Sequence, residues 1–469
     1  MTDSPSLYAS RKQIFPKYQP GFFRSLRWYL TGLFLGIYYL LPFLRWDRGA
    51  GIPDQAILFD LPGRKFYLFG LVVWPQEVYL LAFLLIAAAF GLFFITALAG
   101  RIFCGYMCFQ TVWTDLFLLV ELWTEGHWKK RQAAWKSPWT LEKGLRKLLK
   151  HILWVVISVA TGGAFVFYFA DAPSLLREFL DGSAAEPAWF TLGFLTLTTY
   201  VMAGFAREQV CIYMCPYARF QGAMFDEETL IVAYHPELGE PRESNRRRRE
   251  AADTPTGHCI DCGECVAVCP TGIDIRHGQQ YQCITCAACI DACDSVMARM
   301  KDPTRLIRYT SLSEINGKKA HLLRPRTFVY GALLAAAFVA ISLHFVWRAP
   351  VELNVLRHRN PLYIRLTDGG IQNNYTVHLL NLTSTAQKYT LQVENLPGAI
   401  LTQPGQESGG NGLHLEAKAG EVVPYTVFLR LPPQHTRPGS TDITFRLTGS
   451  RPESGEASYQ SKFMGPHDD

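Results

Sequence analysis

The chain alternates between long apolar runs and polar, charged segments up to about residue 350, and shorter alternating runs follow. Apolar runs of this length predict membrane-spanning helices, because about 20 residues cross the hydrocarbon core of a bilayer. A shorter apolar piece at Phe66–Trp74 predicts an interfacial segment. The pattern predicts five spans, at about Trp28–Leu44, Val78–Leu98, Ile152–Ala170, Ala188–Ala206 and Thr327–Trp347.

The last quarter of the chain has a different period. Runs such as Tyr375–Leu380, Tyr389–Val393 and Tyr425–Leu431 alternate apolar and polar residues, and Gly, Pro and Asn turns separate them. This pattern is typical of strands with one buried face. The region after the fifth span is therefore predicted to be a small all-β sandwich.

Charge sets the expected orientation. Lys and Arg crowd the N-terminus, the loop between spans two and three, and the region between spans four and five, whereas the loop between spans three and four is acidic. By the positive-inside rule, the N-terminus faces the cytoplasm and the β region lies outside. We interpret the first span as an uncleaved helix. The run Arg246–Arg249 is interpreted as a topology signal on a solvated linker, and no nucleic-acid partner is expected.

Composition fits a membrane protein with aqueous parts: 49% of the 469 residues are hydrophobic, 18% are charged, and the net charge is +6. Of the 12 cysteines, eight form two dense runs and four form two C-x3-C pairs, and none lies after Cys293. They indicate cofactor ligands or redox thiols rather than a disulfide framework. The cysteine-bearing part is expected to face a reducing compartment.

The two dense runs each have the spacing C-x2-C-x2-C-x3-C, which is typical of two-cluster bacterial ferredoxins. In such pairs the fourth cysteine of each run binds the other cluster. Structural zinc is the alternative, although zinc sites more often show paired C-x2-C motifs. The second run ends in Asp294 where the first has proline. The predicted [4Fe–4S] ligand sets are Cys259, Cys262, Cys265 and Cys293 for one cluster, and Cys283, Cys286, Cys289 and Cys269 for the other.

The C-x3-C pairs share the pattern Cys-x-Tyr-Met-Cys, and both are predicted just past the cytoplasmic ends of spans, the second and the fourth. Cysteines at i and i+4 share a face if the segment is helical, so two pairs would present four sulfurs together. Such sulfurs suit Cu(I) or an iron–sulfur centre, could act as redox dithiols, or could be buried inert thiols. The candidate site residues are Cys104, Cys108, Cys211 and Cys215.

Neighbouring residues have simpler interpretations. Met107 and Met214 could add thioether ligands, but packing is the favoured role. Tyr106 and Tyr213 are predicted to be interfacial anchors. Arg101 and Arg219 are predicted to be head-group or topology charges.

Four segments carry a family resemblance: CGYMCFQTVWTD, QVCIYMCPYARFQGAMFD, CIDCGECVAVCPTGIDIRHG and CITCAACIDACDSVM. Together they resemble the CcoG/FixG/RdxA family of cytochrome c oxidase accessory proteins. Related modules usually show C-x3-C-P, which Pro216 satisfies and Phe109 does not. The resemblance implies a cytoplasmic segment 1–27, a four-helix membrane domain 28–225, a cytoplasmic α+β ferredoxin-like domain 226–326, a fifth transmembrane helix 327–347 and a periplasmic immunoglobulin-like β domain 348–469.

The resemblance also implies a function. The expected protein is a multi-pass bacterial inner-membrane oxidoreductase that reduces Cu(II) to Cu(I) for assembly of a cbb3-type cytochrome oxidase. Two [4Fe–4S] clusters would be its cofactors, and the four C-x3-C cysteines its catalytic, copper-binding residues. Expected partners are the lipid bilayer, a cytoplasmic electron donor, and oxidase assembly factors or a copper transporter or chaperone. The alternatives are a quinol-linked electron-transfer subunit and a non-enzymatic copper-handling scaffold.

Overall fold

The computed structural model describes residues 13–49, 51–243, 257–302, 305–319, 321, 324–383, 385–405, 412–436, 438–451 and 454–466. The chain forms two compact units, one of Met1–Asp47 with Pro53–Ile341 and one of Arg48–Ile52 with Ser342–Asp469. The predicted domains 28–225 and 226–326 therefore belong to a single compact unit. The predicted linker charges Arg246–Arg249 lie outside the described residues.

Helices in the first unit follow the apolar runs of the sequence. Two of its segments, Met202–Ala206 and Val210–Met214, are π-helical. The main α-helices are Phe22–Leu40, Tyr79–Ala99, Ile102–Tyr106, Phe109–Glu125, Trp128–Lys136, Leu141–Val166, Ala172–Asp181, Glu186–Val201, Pro216–Met224 and Pro325–Val346.

Five helical stretches in the described part of the chain are long and apolar enough to cross a membrane. Four correspond to predicted spans, but the fifth, Ile102–Glu125, was not predicted to be one. The predicted span Trp28–Leu44 forms the helix Phe22–Leu40, in which Arg24 and Arg27 lower the hydropathy. Five candidate spans were predicted and five are found among the described residues, but Ile102–Glu125 takes the place of the predicted span Trp28–Leu44. The five stretches are Pro75–Ala99, Ile102–Glu125, Leu141–Val166, Glu186–Ala206 and Pro325–Val346.

Aromatic packing joins the helix Phe109–Glu125 to the helix Leu141–Val166. The rings of Phe117 and Trp154 stack with centroids 4.9 Å apart, and Trp154 Nε1 donates to the Phe117 carbonyl at 3.2 Å. A Cβ at Gly204 would lie 2.9 Å from the Trp154 ring, so the π-helical segment approaches closely because it has glycine there. The cysteine-bearing segments are thus fixed against a rigid core.

Most of the segment Phe66–Trp74 forms two strands of a sheet, and its location at a membrane interface stays a prediction. Strands β1 (Ile57–Asp60), β2 (Lys65–Leu68) and β3 (Leu71–Val73) form an antiparallel three-stranded sheet. Pairing with neighbouring strands satisfies the backbone of a run that is too short to span.

The dense cysteine runs lie in a small α+β region. Strands β4 (Ile231–Tyr234) and β5 (Ile307–Thr310) pair in an antiparallel sheet. Helices Glu264–Ala267 and Ala288–Met300 follow the two cysteine loops. This region docks on the first helix through a side-chain cap, because the Asp291 carboxylate accepts from the backbone N–H groups of Phe23 and Arg24 at 3.2 and 2.8 Å. A carboxylate at a helix N-terminus satisfies free donors and complements the helix dipole.

The second unit contains two antiparallel sheets with a shared core. One sheet has the order Ile400–Thr402, Val422–Leu431, Ile371–Asn381 and Val351–Arg357, with Ile364–Arg365 also paired to Ile371–Asn381. The other has the order Gly412–Ala417, Gln387–Glu394, Ser440–Gly449 and Glu456–Met464. Tyr375 and Phe445, from opposite sheets, meet with ring centroids 5.0 Å apart. The strands are Val351–Arg357, Ile364–Arg365, Ile371–Asn381, Gln387–Glu394, Ile400–Thr402, Gly412–Ala417, Val422–Leu431, Ser440–Gly449 and Glu456–Met464, numbered β6 to β14.

Candidate iron–sulfur and thiol centre

The two dense cysteine loops have the same unusual backbone conformation. In the first, Asp261 and Gly263 have positive φ angles of 51° and 69°. In the second, the equivalent Thr285 and Ala287 have φ angles of 56° and 59°. Non-glycine residues adopt this conformation at a cost, and such residues concentrate at functional sites. The repeated conformation makes a tight loop around the first three cysteines of each run.

The thiols fall into two neighbourhoods. Cys293 interacts electrostatically with the first three cysteines of the first run, and Cys269 does so with the first three of the second run. The fourth cysteine of each run is thus close to the first three cysteines of the other run. The two predicted ligand sets combine the cysteines in the same way. The assignment of individual ligands stays a prediction.

The second loop fits a [4Fe–4S] cluster. Cys269, Cys283, Cys286 and Cys289 line one small cavity together with Cys265. The backbone N–H of Thr285 hydrogen-bonds the sulfur of Cys283, as that of Ala288 does for Cys286. Such N–H groups favour thiolates, the form that binds iron.

Burial opposes that ionisation in the free thiols. It raises the pKa of Cys283 to about 12 and that of Cys293 to about 12, and it raises the pKa of Cys289 well above its ordinary value. Metal binding must therefore displace the thiol protons. A cluster spreads its four ligands over separate irons, whereas zinc needs all of them around one point.

The structure brings the four C-x3-C cysteines together. Cys211 interacts electrostatically with Cys104, Cys108 and Cys215, and Cys104 and Cys108 each interact with Cys215. Burial raises the pKa of Cys211 to about 12, while Arg101 acts in the opposite direction. Two motifs separated by about a hundred residues thus form one thiol cluster.

The local structure of each pair differs from a single helical face. Cys108 and Cys215 have extended ψ angles of 130° and 111°, and each precedes a new helix. Cys104 lies in the short helix Ile102–Tyr106 and Cys211 in the π-helical segment Val210–Met214. The first pair lies just past the end of the stretch Pro75–Ala99, as predicted, and it also lies inside the next apolar stretch, Ile102–Glu125, which was not predicted.

Arg101 was wrongly predicted to be a head-group charge. It is only 3% exposed. Its Nε donates to Gln221 Oε1 at 3.1 Å, and its Nη1 donates to the Tyr281 carbonyl at 2.6 Å. The Cys104 thiol donates to the same Gln221 oxygen at 3.2 Å. A guanidinium held beside thiols favours their ionised form, which is the nucleophilic and metal-binding one.

The first motif contacts the second cluster loop directly. A Cβ at Gly105 would lie 2.7 Å from the Ile284 carbonyl oxygen and 3.0 Å from Cys286 Cα, so the two backbones touch. Tyr106 OH lies 3.4 Å from the Cys286 carbonyl and 3.2 Å from Tyr309 OH. Tyr106 is buried, so its prediction as an interfacial anchor is wrong, whereas Tyr213 is exposed.

A longer repeat surrounds the cysteine pairs and was missed. Each motif is followed by Phe-Gln-x4-Asp, at Phe109–Asp115 and at Phe220–Asp226, with four extra residues before the second copy. The repeat was visible in the sequence once a four-residue insertion was allowed. Its glutamines and aspartates are the residues that hold the motifs in place.

The glutamines are exchanged between the two halves. Gln110, of the first motif, donates to the carbonyls of Met202 and Arg207, just before the second cysteine pair. Gln221, of the second motif, contacts Thr96 and Arg101, just before the first pair. Each half therefore holds the segment that leads into the cysteines of the other, through backbone carbonyls in one case and through side chains in the other.

The aspartates pair with arginines at the beginning of two helices. Asp115 contacts Arg27 at 2.7 Å and Arg24 at 3.2 Å, both in the helix Phe22–Leu40. Asp226 pairs with Arg324, next to the first residue of the helix Pro325–Val346. Burial raises the pKa of Asp226, but hydrogen bonds from Thr229 and Arg324 outweigh it, so this pKa lies below its ordinary value.

Comparisons with known proteins agree with these features. Residues 206–312 match the model of a 4Fe-4S dicluster domain, and residues 81–131 match that of a 4Fe-4S binding domain. Residues 342–466 match the model of the IG-like fold at the C-terminal of FixG.

Three curated relatives are similar over most of their length. Nitrogen fixation protein FixG of Rhizobium meliloti is 43% identical, with 98% of this chain and 94% of that protein covered. Protein RdxB of Cereibacter sphaeroides is 47% identical, with 89% and 92% covered. Protein RdxA of the same organism is 45% identical, with 98% and 99% covered.

Proposed function

Since this chain belongs to the FixG/RdxA family, we propose that it is a membrane iron–sulfur protein that reduces Cu(II) to Cu(I) for assembly of a cbb3-type cytochrome oxidase. In this proposal it lies in a bacterial inner membrane, with its N-terminus and cluster loops in the cytoplasm and its β unit in the periplasm. A cytoplasmic donor supplies electrons, and oxidase assembly factors or a copper transporter or chaperone handle the copper.

One observation carries the proposal: four thiols from two motifs lie together, and the backbone of the first motif touches a predicted cluster loop. Gly105 touches the backbone of Ile284 and Cys286, and Cys104, Cys108, Cys211 and Cys215 are mutual neighbours. Thiols on a segment whose backbone touches the loop of a one-electron carrier are suited to one-electron reduction.

The residues around the thiols have definable tasks. Bound [4Fe–4S] clusters supply one-electron chemistry at potentials that the surrounding protein tunes. Arg101 favours the thiolate of Cys104 by its charge, and Gln221, which accepts a hydrogen bond from the Cys104 thiol and one from Arg101, orients both side chains. Thiolates are soft ligands that hold Cu(I) in preference to Cu(II), so copper as substrate gains one electron and leaves as the ion the site prefers.

No three of these groups converge on one point in the described residues. The proposed copper site is therefore completed by the substrate ion itself, through rotation of the thiol side chains. Such movement is available because Cys108, Cys211 and Cys215 are only partly buried.

The test is anaerobic purification followed by iron analysis and a Cu(II)-reduction assay with a Cu(I)-specific chelator. We expect Cys104→Ser/Cys108→Ser and Cys211→Ser/Cys215→Ser to keep about eight irons per chain and to lose copper reduction. Cys286→Ser is the matched single-thiol control, and it should lose iron as well. Unchanged copper reduction after loss of all four C-x3-C thiols would contradict the proposal, and quinol oxidation by a protein inert to copper would favour electron transfer from quinol.

A second candidate is a further [4Fe–4S] cluster on the four C-x3-C cysteines. The observation that favours it is the match of residues 81–131 to a 4Fe-4S binding domain, because this range contains only Cys104 and Cys108. A cluster there would need the other pair, which lies beside it. About twelve irons per chain, falling to about eight in either double variant, would establish this candidate.

A further inference from the structure

A second cavity, away from the thiols, lies where the membrane helices meet the basic loop. It has a volume of about 420 Å³ and lies between residues 13–15, the helix Trp128–Lys136, the first turns of the helix Leu141–Val166, and residues 204–207. Ligand sites of this size hold a small molecule or a head group.

The cavity is strongly basic. Seven Lys and Arg side chains line it, against three carboxylates. The carboxylates already have cationic partners: Glu121 pairs with Arg131 and Arg207, Glu125 with Lys150, and Glu142 with Arg146. Within the described part of the chain, the lining lysines without a carboxylate partner are Lys130, Lys143 and Lys147.

One residue of the cavity lining, Arg131, has a buried hydrogen-bond donor without an acceptor among the described residues. The Arg131 side chain is 4% exposed, and its Nε has no hydrogen-bond partner among the described residues although it lines the cavity. Buried donors are normally satisfied, so an oxygen-rich anion would complete this site.

Aromatic side chains also line the cavity, among these cations. Phe15, Trp135, Trp154 and Phe205 line it, and Trp139, beside the cavity, lies under the ammonium groups of Lys147 and Lys143 at 4.5 and 5.3 Å. Tryptophans and lysines in this combination mark the level of lipid head groups. Exposed apolar residues continue from the cavity along the same helix, namely Leu145, Leu148, Leu149 and Ile152.

We propose that this cavity binds the phosphate head group of an acidic phospholipid, whose acyl chains lie along the exposed face of the helix Leu141–Val166. The excess of lysines selects the anionic head group. The aromatic lining and the apolar helix face select a lipid over a soluble phosphate. Basic pockets between membrane helices on the cytoplasmic side bind such head groups in other proteins.

The test uses the full-length protein with its clusters, delipidated in a neutral detergent. Native mass spectrometry with cardiolipin, phosphatidylglycerol, phosphatidylcholine and inorganic phosphate measures binding. Lys143→Gln/Lys147→Gln should weaken the acidic lipids about 30-fold, because each lysine near a head group contributes roughly fivefold. Lys129→Gln/Lys136→Gln removes the same charge from exposed lysines that do not line the cavity, and it should leave binding within about twofold.

Iron content and thermal midpoint verify that both variants are folded, and the single variant Lys147→Gln replaces the double one if it is not. Equal losses in both double variants would show non-specific attraction and overturn the proposal. Phosphatidylcholine bound as tightly as the acidic lipids would also overturn it, as would inorganic phosphate that displaces them at equal affinity.

Discussion

Gly105 is where the first thiol motif touches the second cluster loop, so a single methyl group there tests the contact. Gly105→Ala places a carbon within 3.0 Å of the backbone at Ile284 and Cys286, and neither backbone can move independently. We expect a cost of about 1–3 kcal/mol and slower copper reduction with iron retained. The measurements are the thermal midpoint and the Cu(I)-chelator assay.

Gly144→Ala is the matched control for that change, because its Cβ meets nothing within 4 Å. Alanine is also the better helix former, so this variant should be as stable as the wild type or more so. A wild-type midpoint and wild-type copper reduction in Gly105→Ala would show that the contact is loose.

The backbone of the cluster loops gives a second prediction at the scale of residues. A Cβ at Gly263 meets nothing within 4 Å, so Gly263→Ala introduces only the strain of its φ angle of 69°. The change should destabilise the loop by about 1 kcal/mol. Because Ala287 occupies the equivalent position, the cluster should still form. The rate of absorbance loss in an iron chelator measures the effect, and an unchanged rate would refute it.

Spacing alone identified the cysteines, but not the residues that hold them. C-x2-C-x2-C-x3-C is a local pattern with one dominant chemical meaning. The role of Gln221 depends on Arg101 and Cys104, more than a hundred residues away, and periodicity carries no information about such contacts. Burial of Arg101 reversed its interpretation for the same reason, since a charge near a membrane is exposed by default.

At the scale of elements, the two aspartates that follow the motifs have different burial. The Asp115 side chain is 4% exposed and faces two arginines that are nearly as buried, whereas Asp226 is 33% exposed. Asp115→Asn leaves buried charges without a counter-ion and should cost about 3–5 kcal/mol. Asp226→Asn, the matched change, should cost about 1 kcal/mol or less. Thermal unfolding in detergent compares them, and equal midpoints would contradict the difference.

Hydropathy predicted most of the candidate spans, because a long uncharged apolar run is seldom found outside a membrane-spanning helix. It did not predict the span Ile102–Glu125, because the motif residues, Asp115 and Glu121 interrupt the apolar run there. Both carboxylates are buried against arginines, so their cost in lipid is offset by contacts that the sequence does not display. The helix Phe22–Leu40 is the opposite case, a predicted span that is not apolar enough. Its arginines, which lower its hydropathy, are the partners of Asp115.

The β unit is separate at the scale of the whole molecule. It has its own compact core and contains no cysteine. A protein of residues 348–469 should therefore fold alone, and Phe445→Ala, at a fully buried position, should lower its stability by about 3–5 kcal/mol. Urea unfolding followed by circular dichroism measures both. An isolated unit without a cooperative transition would contradict this prediction.

Strand alternation predicted this sandwich because each strand buries one face, but the sequence did not reveal that the membrane and cluster-bearing regions form one compact unit. That unity depends on single contacts such as the Asp291 cap on the helix Phe22–Leu40. Asp291 lies between the predicted ligands Cys289 and Cys293, and nothing in the neighbouring sequence indicates why an acidic residue is present there.

The exchanged glutamines have a consequence for ancestry. Because Gln110 supports the backbone before the second cysteine pair and Gln221 holds the Arg101 side chain before the first, we infer that a shorter ancestor with one motif would complete this arrangement only by associating with a copy of itself. Two copies in one polypeptide are free to differ in sequence. The two halves of this chain do differ, with Gly105 against the cluster loop where the other half has Ile212, and with Tyr106 buried where Tyr213 is exposed.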